Sequence, residues 1–415
     1  MDEGRLKDGV TPRLVQWCLA RHRALLPHYR DLRAYYEGRD PGIMGRVYRG
    51  EPDHPRLPHP YAHYIALTAS SYLTGRPIRY DLPGKTEALD AVLDCYRLNN
   101  IDSVDSELSL TASIYGKAVE RVYLDRQGRP RSCALPPDEA VVIYDDTAAH
   151  EPLLGITCVH RPPVGREPGS VTVQAMTDRE VLTFTAPDER DLTCAEVVRH
   201  PHYFGGIPLI EYWNNFDETG DFERVLPLID GYDSLQSDRL HDKLRFADSL
   251  LVLTGCQLEA GWHTRLTEGP DGTSVEERVP DESPAERLRR ERCLSLPDSD
   301  ASAQYLTHTL HEADTEVLRA ALKDDIHRFS FVPDLSDRMF ADNQSGVAMR
   351  YKLLGLEQLV SVKERWFREA LRARIRLYAR VLSLGGKTSL DADRVQMTFS
   401  RPEVLTYMED GGSGE

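Results

Sequence analysis

No stretch of this 415-residue chain approaches the ~20 consecutive apolar residues of a membrane-spanning helix, so no membrane partner is expected. The opening Met1-Asp2-Glu3-Gly4-Arg5 is acidic and polar and does not resemble a secretion signal, which points to a chain made and kept in the cytoplasm. Paired cysteine spacing is missing too. Cys18, Cys95, Cys133, Cys158, Cys194, Cys256 and Cys293 are odd in number and contain no CxxC. A disulfide framework or a zinc site is therefore not expected, and all seven read as reduced thiols. Positive charge is scarce: 51 Lys and Arg face 67 Asp and Glu, for a net charge of −16. A protein that grips nucleic acid needs cations to release counterions from the phosphates. Either nucleic acid is irrelevant to this chain, or it must pass without sticking. Catalytic signatures are absent as well. There is no GxxxxGK[ST] loop, no GxSxG and no HExxH, so ATP hydrolysis is not expected, and no cofactor is implied. The fourteen histidines are scattered, and Tyr61-Ala62-His63-Tyr64 and His200-Pro201-His202 show no ligand spacing with an acid or cysteine partner.

What is present is an ordinary globular balance, 40% hydrophobic and 28% charged, in a length fit for two to three domains. Residues 10–38 have helical spacing through Leu14, Trp17, Leu25, Leu26, Tyr29, Leu32 and Tyr36. A second helix is predicted from Tyr61 to Leu73, stopped by Gly75 and Pro77, then a short strand at Ile78-Arg79-Tyr80 and helix again over 84–115. Between 116 and 212 the pattern changes to short β-branched runs separated by turns, the mark of an antiparallel sheet or small barrel. Helical spacing returns from Val225 to Leu251, with Pro227 in the first turn and Gly255 as the stop. Residues 256–311 are polar and turn-rich. Another helix is predicted from Thr315 to Phe329, a break at Pro333–Ser345, a long helix over 346–380 and a last strand at Val395–Phe399.

Four motifs occur in one order. They are Tyr72-Leu73-Thr74-Gly75-Arg76-Pro77; Gly116-Lys117-Ala118-Val119-Glu120-Arg121-Val122-Tyr123; Phe204-Gly205-Gly206-Ile207-Pro208-Leu209-Ile210-Glu211-Tyr212-Trp213-Asn214-Asn215 with Gly220-Asp221-Phe222-Glu223 and Leu228-Ile229-Asp230-Gly231-Tyr232-Asp233; and Pro333-Asp334-Leu335-Ser336-Asp337 followed by Ser345-Gly346-Val347-Ala348-Met349-Arg350. Together they resemble the phage portal proteins, in the branch common among long-tailed phages of Gram-positive bacteria. The resemblance covers roughly residues 60–400. It implies an α+β, mainly helical portal fold with long stem helices, a β-containing wing and an inserted clip domain. The wing would combine 1–221 with 346–400, the stem helices would be 222–254 and 313–330, the clip 255–312 and the tunnel loop 331–345. The family's C-terminal crown would be short, absent or truncated in this sequence, where 401–415 follow the wing.

The resemblance further implies a homo-oligomeric ring of twelve subunits at one capsid vertex of the virion, assembled in the host cytoplasm. Double-stranded DNA would pass through it non-specifically. Its partners would be the terminase large subunit, the major capsid and scaffolding proteins, and a head-completion or adaptor protein. Tunnel-loop candidates facing DNA are Asp334, Ser336, Asp337, Arg338, Asp342, Asn343 and Gln344, and stem-lumen candidates are Glu316, Asp324 and Asp325. From Glu312 to Asp342 eight acids outnumber four bases, a field that repels phosphate if it faces the lumen. The same acids could instead form a solvated helix face and turn. Arg287, Arg289, Arg290 and Arg292 are candidates for clip docking or for pairs between subunits. Arg365, Arg368, Arg372 and Arg376 form a basic stripe on the long helix, with Lys363, Arg374 and Arg380 nearby; it would touch DNA or an acidic capsid surface, or stand as an ordinary solvated face paired with Glu364 and Glu369.

A metal site is not expected, because adjacent Asp324 and Asp325 face different sides of a helix and two-metal chemistry needs carboxylates converging on one point. The expected molecule is a non-enzymatic conduit. The alternatives are a phage-encoded metal-dependent nuclease or hydrolase, and a tail-adaptor or scaffold protein that forms no ring.

Overall fold

The computed structural model describes residues 9–48, 53–84, 86–163, 169–245, 250–254, 262–268, 274–280, 302–306, 312–335 and 351–401. The architecture is mixed α+β and mainly helical, as the residue patterns imply. Two compact units divide it. The first comprises Met1–Pro52, Arg56–Leu235 and Val317–Glu415, the second Asp53–Pro55 and Gln236–Glu316.

The first unit opens with α1 (Pro12–Arg23), where the Thr11 hydroxyl accepts from the Leu14 amide at 3.3 Å and Pro12 takes the first turn. A separate helix α2 (Leu26–Tyr36) follows, so the helix predicted over 10–38 is broken. Pro27 accounts for the break: it has no N–H for a continuing helix but sits without cost in a new first turn. A short turn of helix, α3 (Pro41–Met44), leads to α4 (Tyr61–Thr74), strand β1 (Arg79–Asp81), α5 (Thr86–Asn99) and α6 (Ile101–Tyr115). The helix predicted over 84–115 is likewise two helices, separated where Asn100 adopts φ 51°. Gly116 ends α6 at φ 83°, and a Cβ there would come within 1.9 Å of the Glu218 carbonyl, so this turn needs glycine.

The β region contains two antiparallel sheets. In the smaller, β2 (Lys117–Leu124) lies between β3 (Pro130–Leu135) and β9 (Leu209–Trp213). The larger is a meander of β4 (Ala140–Tyr144), β5 (Pro152–Arg161), β6 (Ser170–Met176), β7 (Glu180–Ala186) and β8 (Glu196–Pro201). Val15, Cys18 and Leu19 of α1 cover its apolar face, against Leu154, Ile156, Val173 and Phe184.

The chain then enters α7 (Leu226–Arg245). The helix predicted to Leu251 is shorter than expected: Leu250–Thr254 is strand β10, paired with β13 (Ser302–Leu306). A contiguous run of Leu and Val suits a strand as well as a buried helix face, and pairing decides between them. The second unit also holds a hairpin of β11 (Trp262–Glu268) and β12 (Ser274–Pro280), so the segment read as irregular contains ladder structure.

Two helices return to the first unit. The longer part of α8 (Glu312–Ser330) belongs there, and α9 (Leu354–Leu384) spans 31 residues, about 46 Å at 1.5 Å per residue. Its end is four residues later than the predicted 346–380, and residues 346–350 of that prediction lie outside the described residues. Val360, Phe367, Leu371, Ile375 and Tyr378 of α9 pack into the main core with α4, α5 and α6. Strand β14 (Gln396–Thr398) pairs with β1. Cys18, Cys95, Cys133, Cys158 and Cys194 are free thiols, and among the described residues no helix is long and apolar enough to cross a membrane.

Candidate functional site

The root of the predicted tunnel loop is held by side chains from two helices. At the end of α8 the Ser330 hydroxyl donates to the His327 carbonyl at 3.3 Å and accepts from the Val332 amide at 3.4 Å, while His327 Nδ1 lies 2.9 Å from the Val332 carbonyl. Phe331 takes a left-handed conformation at φ 61°, which turns the chain and buries Val332. Tyr64 of α4 then clamps the segment. Its hydroxyl donates to the Pro333 carbonyl at 2.6 Å and accepts from the Leu335 amide at 3.1 Å.

Asp334, expected to face DNA, is half-buried at this root and ion-paired with Lys323, about two turns before the end of α8. That pairing raises the Lys323 pKa and keeps its ammonium charged. The two line a 420 Å³ cavity whose aromatic wall is Tyr61, Tyr64 and Tyr232. The rings meet edge to face, Tyr61 on Tyr232 at 5.2 Å and Tyr64 on His327 at 5.7 Å. Ser336, Asp337, Arg338, Asp342, Asn343 and Gln344 lie outside the described residues, as do Arg287, Arg289, Arg290 and Arg292.

Of the stem candidates, Glu316 pairs with Arg239 at 3.1 Å within the second unit. Asp324 is exposed and Asp325 half-buried, as expected of neighbours on a helix, and neither forms an ion pair with a described cation. On the long helix, Arg368 pairs with Glu364 and donates to the Met397 carbonyl at 2.8 Å, Arg372 pairs with Glu369 at 3.0 Å, and Arg376 pairs with Asp393 at 2.6 Å. Arg365 is exposed. Most of this stripe is therefore already neutralised by acids of the same region.

Two cations grouped by sequence with that stripe do something else. Lys363 and Arg374 fall on the apolar face of α9, in step with Val360, Phe367, Leu371 and Tyr378, and both are buried. Arg374 Nε donates to both oxygens of Glu120 at 2.7 and 2.9 Å, and its Nη1 donates to Asp105 at 2.6 Å. The Tyr212 hydroxyl completes the Glu120 carboxylate at 2.6 Å. Lys363 reaches Asp221 and Ser113 at 2.5 Å each. Asp221 also accepts from Asn214 at 2.8 Å, and Asn214 and Asn215 both hold the Thr219 carbonyl, so the Asn pair organises the turn leading to α7. Two of the four motifs, the one holding Glu120 and the one holding Tyr212, Asn214 and Asp221, thus supply buried ionic contacts that tie α6, β2, β9, the turn and α9 together.

The family model described as "Phage portal protein, SPP1 Gp6-like" matches residues 15–406. The chain belongs to this phage portal protein family. It is also similar to the "Portal protein" of Bacillus phage SPP1, at 21% identity over 381 residues, 85% of this chain and 68% of that relative. As a portal-family member it is a phage structural protein of the capsid, in a family that is not enzymatic.

Sequence reasoning missed one further cluster in this portal chain. Asp40 lies against Asp233, with Asp230 close by, and Asp40 and Asp233 are fully buried. Asp233 accepts from the His59 amide at 3.0 Å, and Asp230 accepts from the Tyr35 hydroxyl at 2.8 Å. A Cβ on Gly42 would come 2.1 Å from Asp230, so glycine lets the loop approach. Burial first, then the Asp233 carboxyl, pushes the Asp40 pKa up to about 8, so it holds a proton at neutral pH. Only the Asp230-Gly231-Tyr232-Asp233 motif hinted at it.

Proposed function

We propose that the chain is one subunit of a closed ring, twelve-fold by family resemblance, at a single capsid vertex, through which double-stranded DNA is packaged and ejected. The observation that carries this reading is the family match across residues 15–406. The ring is a conduit without catalysis; terminase supplies the force and docks on it, and the head-completion protein later replaces terminase. Capsid and scaffolding proteins surround it during assembly in the host cytoplasm. In this reading residues 1–221 and 346–400 form the wing, α7 and α8 the stem, and 255–312 the clip, whose four arginines pair between subunits or receive the motor.

Charge supports passage without adhesion. With Asp334 held by Lys323, the acidic field of the stem falls to Asp324 and Asp325, and that of the loop to Asp337 and Asp342. Apolar side chains support ring closure: Val317 and Leu318 of α8 are 71% and 51% exposed in the lone chain, and Phe329, Phe331 and Leu335 are similarly open. Such surface is normally covered by a partner.

Negative-stain electron microscopy with native mass spectrometry tests the proposal. Closed rings with a duplex-wide hole are expected. Stable monomers that neither close into rings alone nor do so with scaffolding protein would overturn it, and nuclease turnover with Mg²⁺ or Mn²⁺ would replace it by the hydrolase reading.

A further inference from the structure

In the larger sheet, strand β5 places Cys158 and His160 two residues apart, on the same face. The turn after β7 brings Glu189 to them. Its Oε2 accepts from the Cys158 thiol at 3.1 Å and lies 3.1 Å from His160 Nε2, and the three ligand atoms all fall within 4.8 Å of one another. Cys158 and the Glu189 side chain are largely buried, while His160 stands open to solvent at 69%. Arg23 of α1 pairs with the other Glu189 oxygen at 2.8 Å and fixes the carboxylate from behind.

We propose that Cys158, His160 and Glu189 bind one zinc-class divalent cation, with water as the fourth ligand on the exposed side. Bond lengths of about 2.3 Å to sulfur and about 2.0–2.2 Å to nitrogen and oxygen place neighbouring ligands of a tetrahedral ion roughly 3.3–3.6 Å apart. The two spacings to Glu189, 3.1 Å each, lie close to this, and the sulfur–nitrogen pair falls within 4.8 Å, so the three side chains can close around one ion by small adjustments. A thiolate, an imidazole and one carboxylate favour zinc or cobalt over magnesium or calcium, which require all-oxygen shells. Binding releases the thiol proton to water and replaces the Cys158–Glu189 hydrogen bond and the His160–Glu189 contact by coordinate bonds. The thiol must lose its proton to bind, so affinity must increase with pH. The ion would pin β5 to the β7–β8 turn and, through Arg23, to α1. Sequence carried only the Cys158-Val159-His160 spacing, because Glu189 comes from a different strand's turn.

The test is cobalt titration of the full-length chain, read by thiolate-to-cobalt charge-transfer absorption, with zinc displacement and metal analysis. One equivalent per chain is expected, with the band lost in Cys158→Ser and the affinity at least tenfold weaker in His160→Ala. His160 is exposed, so His160→Ala should keep the wild-type circular dichroism and separate ligand loss from misfolding. Excess Mg²⁺ should not compete. Absence of a thiolate band at stoichiometric cobalt, a band that persists in Cys158→Ser, or unchanged affinity in His160→Ala would overturn the assignment.

Discussion

Two buried ionic clusters in the same unit have opposite compositions. Around Arg374, two carboxylates share one guanidinium, and two tyrosine rings flank it at 5.7–5.8 Å. Around Asp40, carboxylates face each other, and the His59 ring reaches Asp233 at 2.8 Å. The carboxyl groups record the difference. Asp105, fully buried, is pushed by desolvation up to only about 6, because Arg374 opposes the shift, and remains ionised at neutral pH. Asp40 reaches about 8 and stays protonated. Burial alone does not decide the charge of an acid; the neighbouring cation does.

The strongest way to break this contrast is Arg374→Ala. It strands Glu120 and Asp105 without a counter-charge and should destabilise the chain by about 3–5 kcal/mol, read as a lower urea midpoint. Replacing Asp105, Glu120 and Arg374 together by apolar residues of similar volume should recover most of that loss, which would show that compensation rather than attraction is what the cluster requires. Lys363→Ala should follow at about 3 kcal/mol by the same reasoning for Asp221.

The acid pair gives a pH signature instead. The folded Asp40 pKa lies above its unfolded value of 3.8, so the folded state binds the extra proton and stability falls as pH rises through the window from about 4 to about 8. Asp105 acts in the same direction but only up to about 6. Asp40→Asn should therefore flatten the dependence of melting temperature on pH between 6 and 8; an unchanged slope would show that Asp40 does not hold the proton. The smallest effect belongs to the half-open pair at the loop root. Lys323→Ala should cost no more than about 1 kcal/mol in a melt, because water already screens the Lys323–Asp334 contact.

Residue periodicity revealed the helices and the antiparallel region, because their apolar spacing is local. It failed at joints set by single residues, such as Pro27 and Asn100, and at Leu250–Thr254, whose strand state depends on a partner about fifty positions away. The loop and stem acids were legible as composition, yet the burial of Asp334 was not, since Tyr64 lies 269 positions from its anchor at Pro333. Lys363 and Arg374 were counted with a surface stripe although they sit three residues after Val360 and Leu371, on the core face of α9. Glu120, alternating with Ala118 and Val122 on β2, carried the matching signal. Cations on an apolar helix face and an acid on an apolar strand face announce each other, but only when the two elements are considered as a pair.

The distance along the chain between those partners has a consequence for synthesis. Arg374 follows Glu120 by 254 residues. At translation rates of about 5–20 residues per second, roughly 13–50 s separate the emergence of the acid from that of its cation. For that interval Glu120 and Asp105 lack their counter-charge, so the part of the core they occupy cannot close until α9 has emerged.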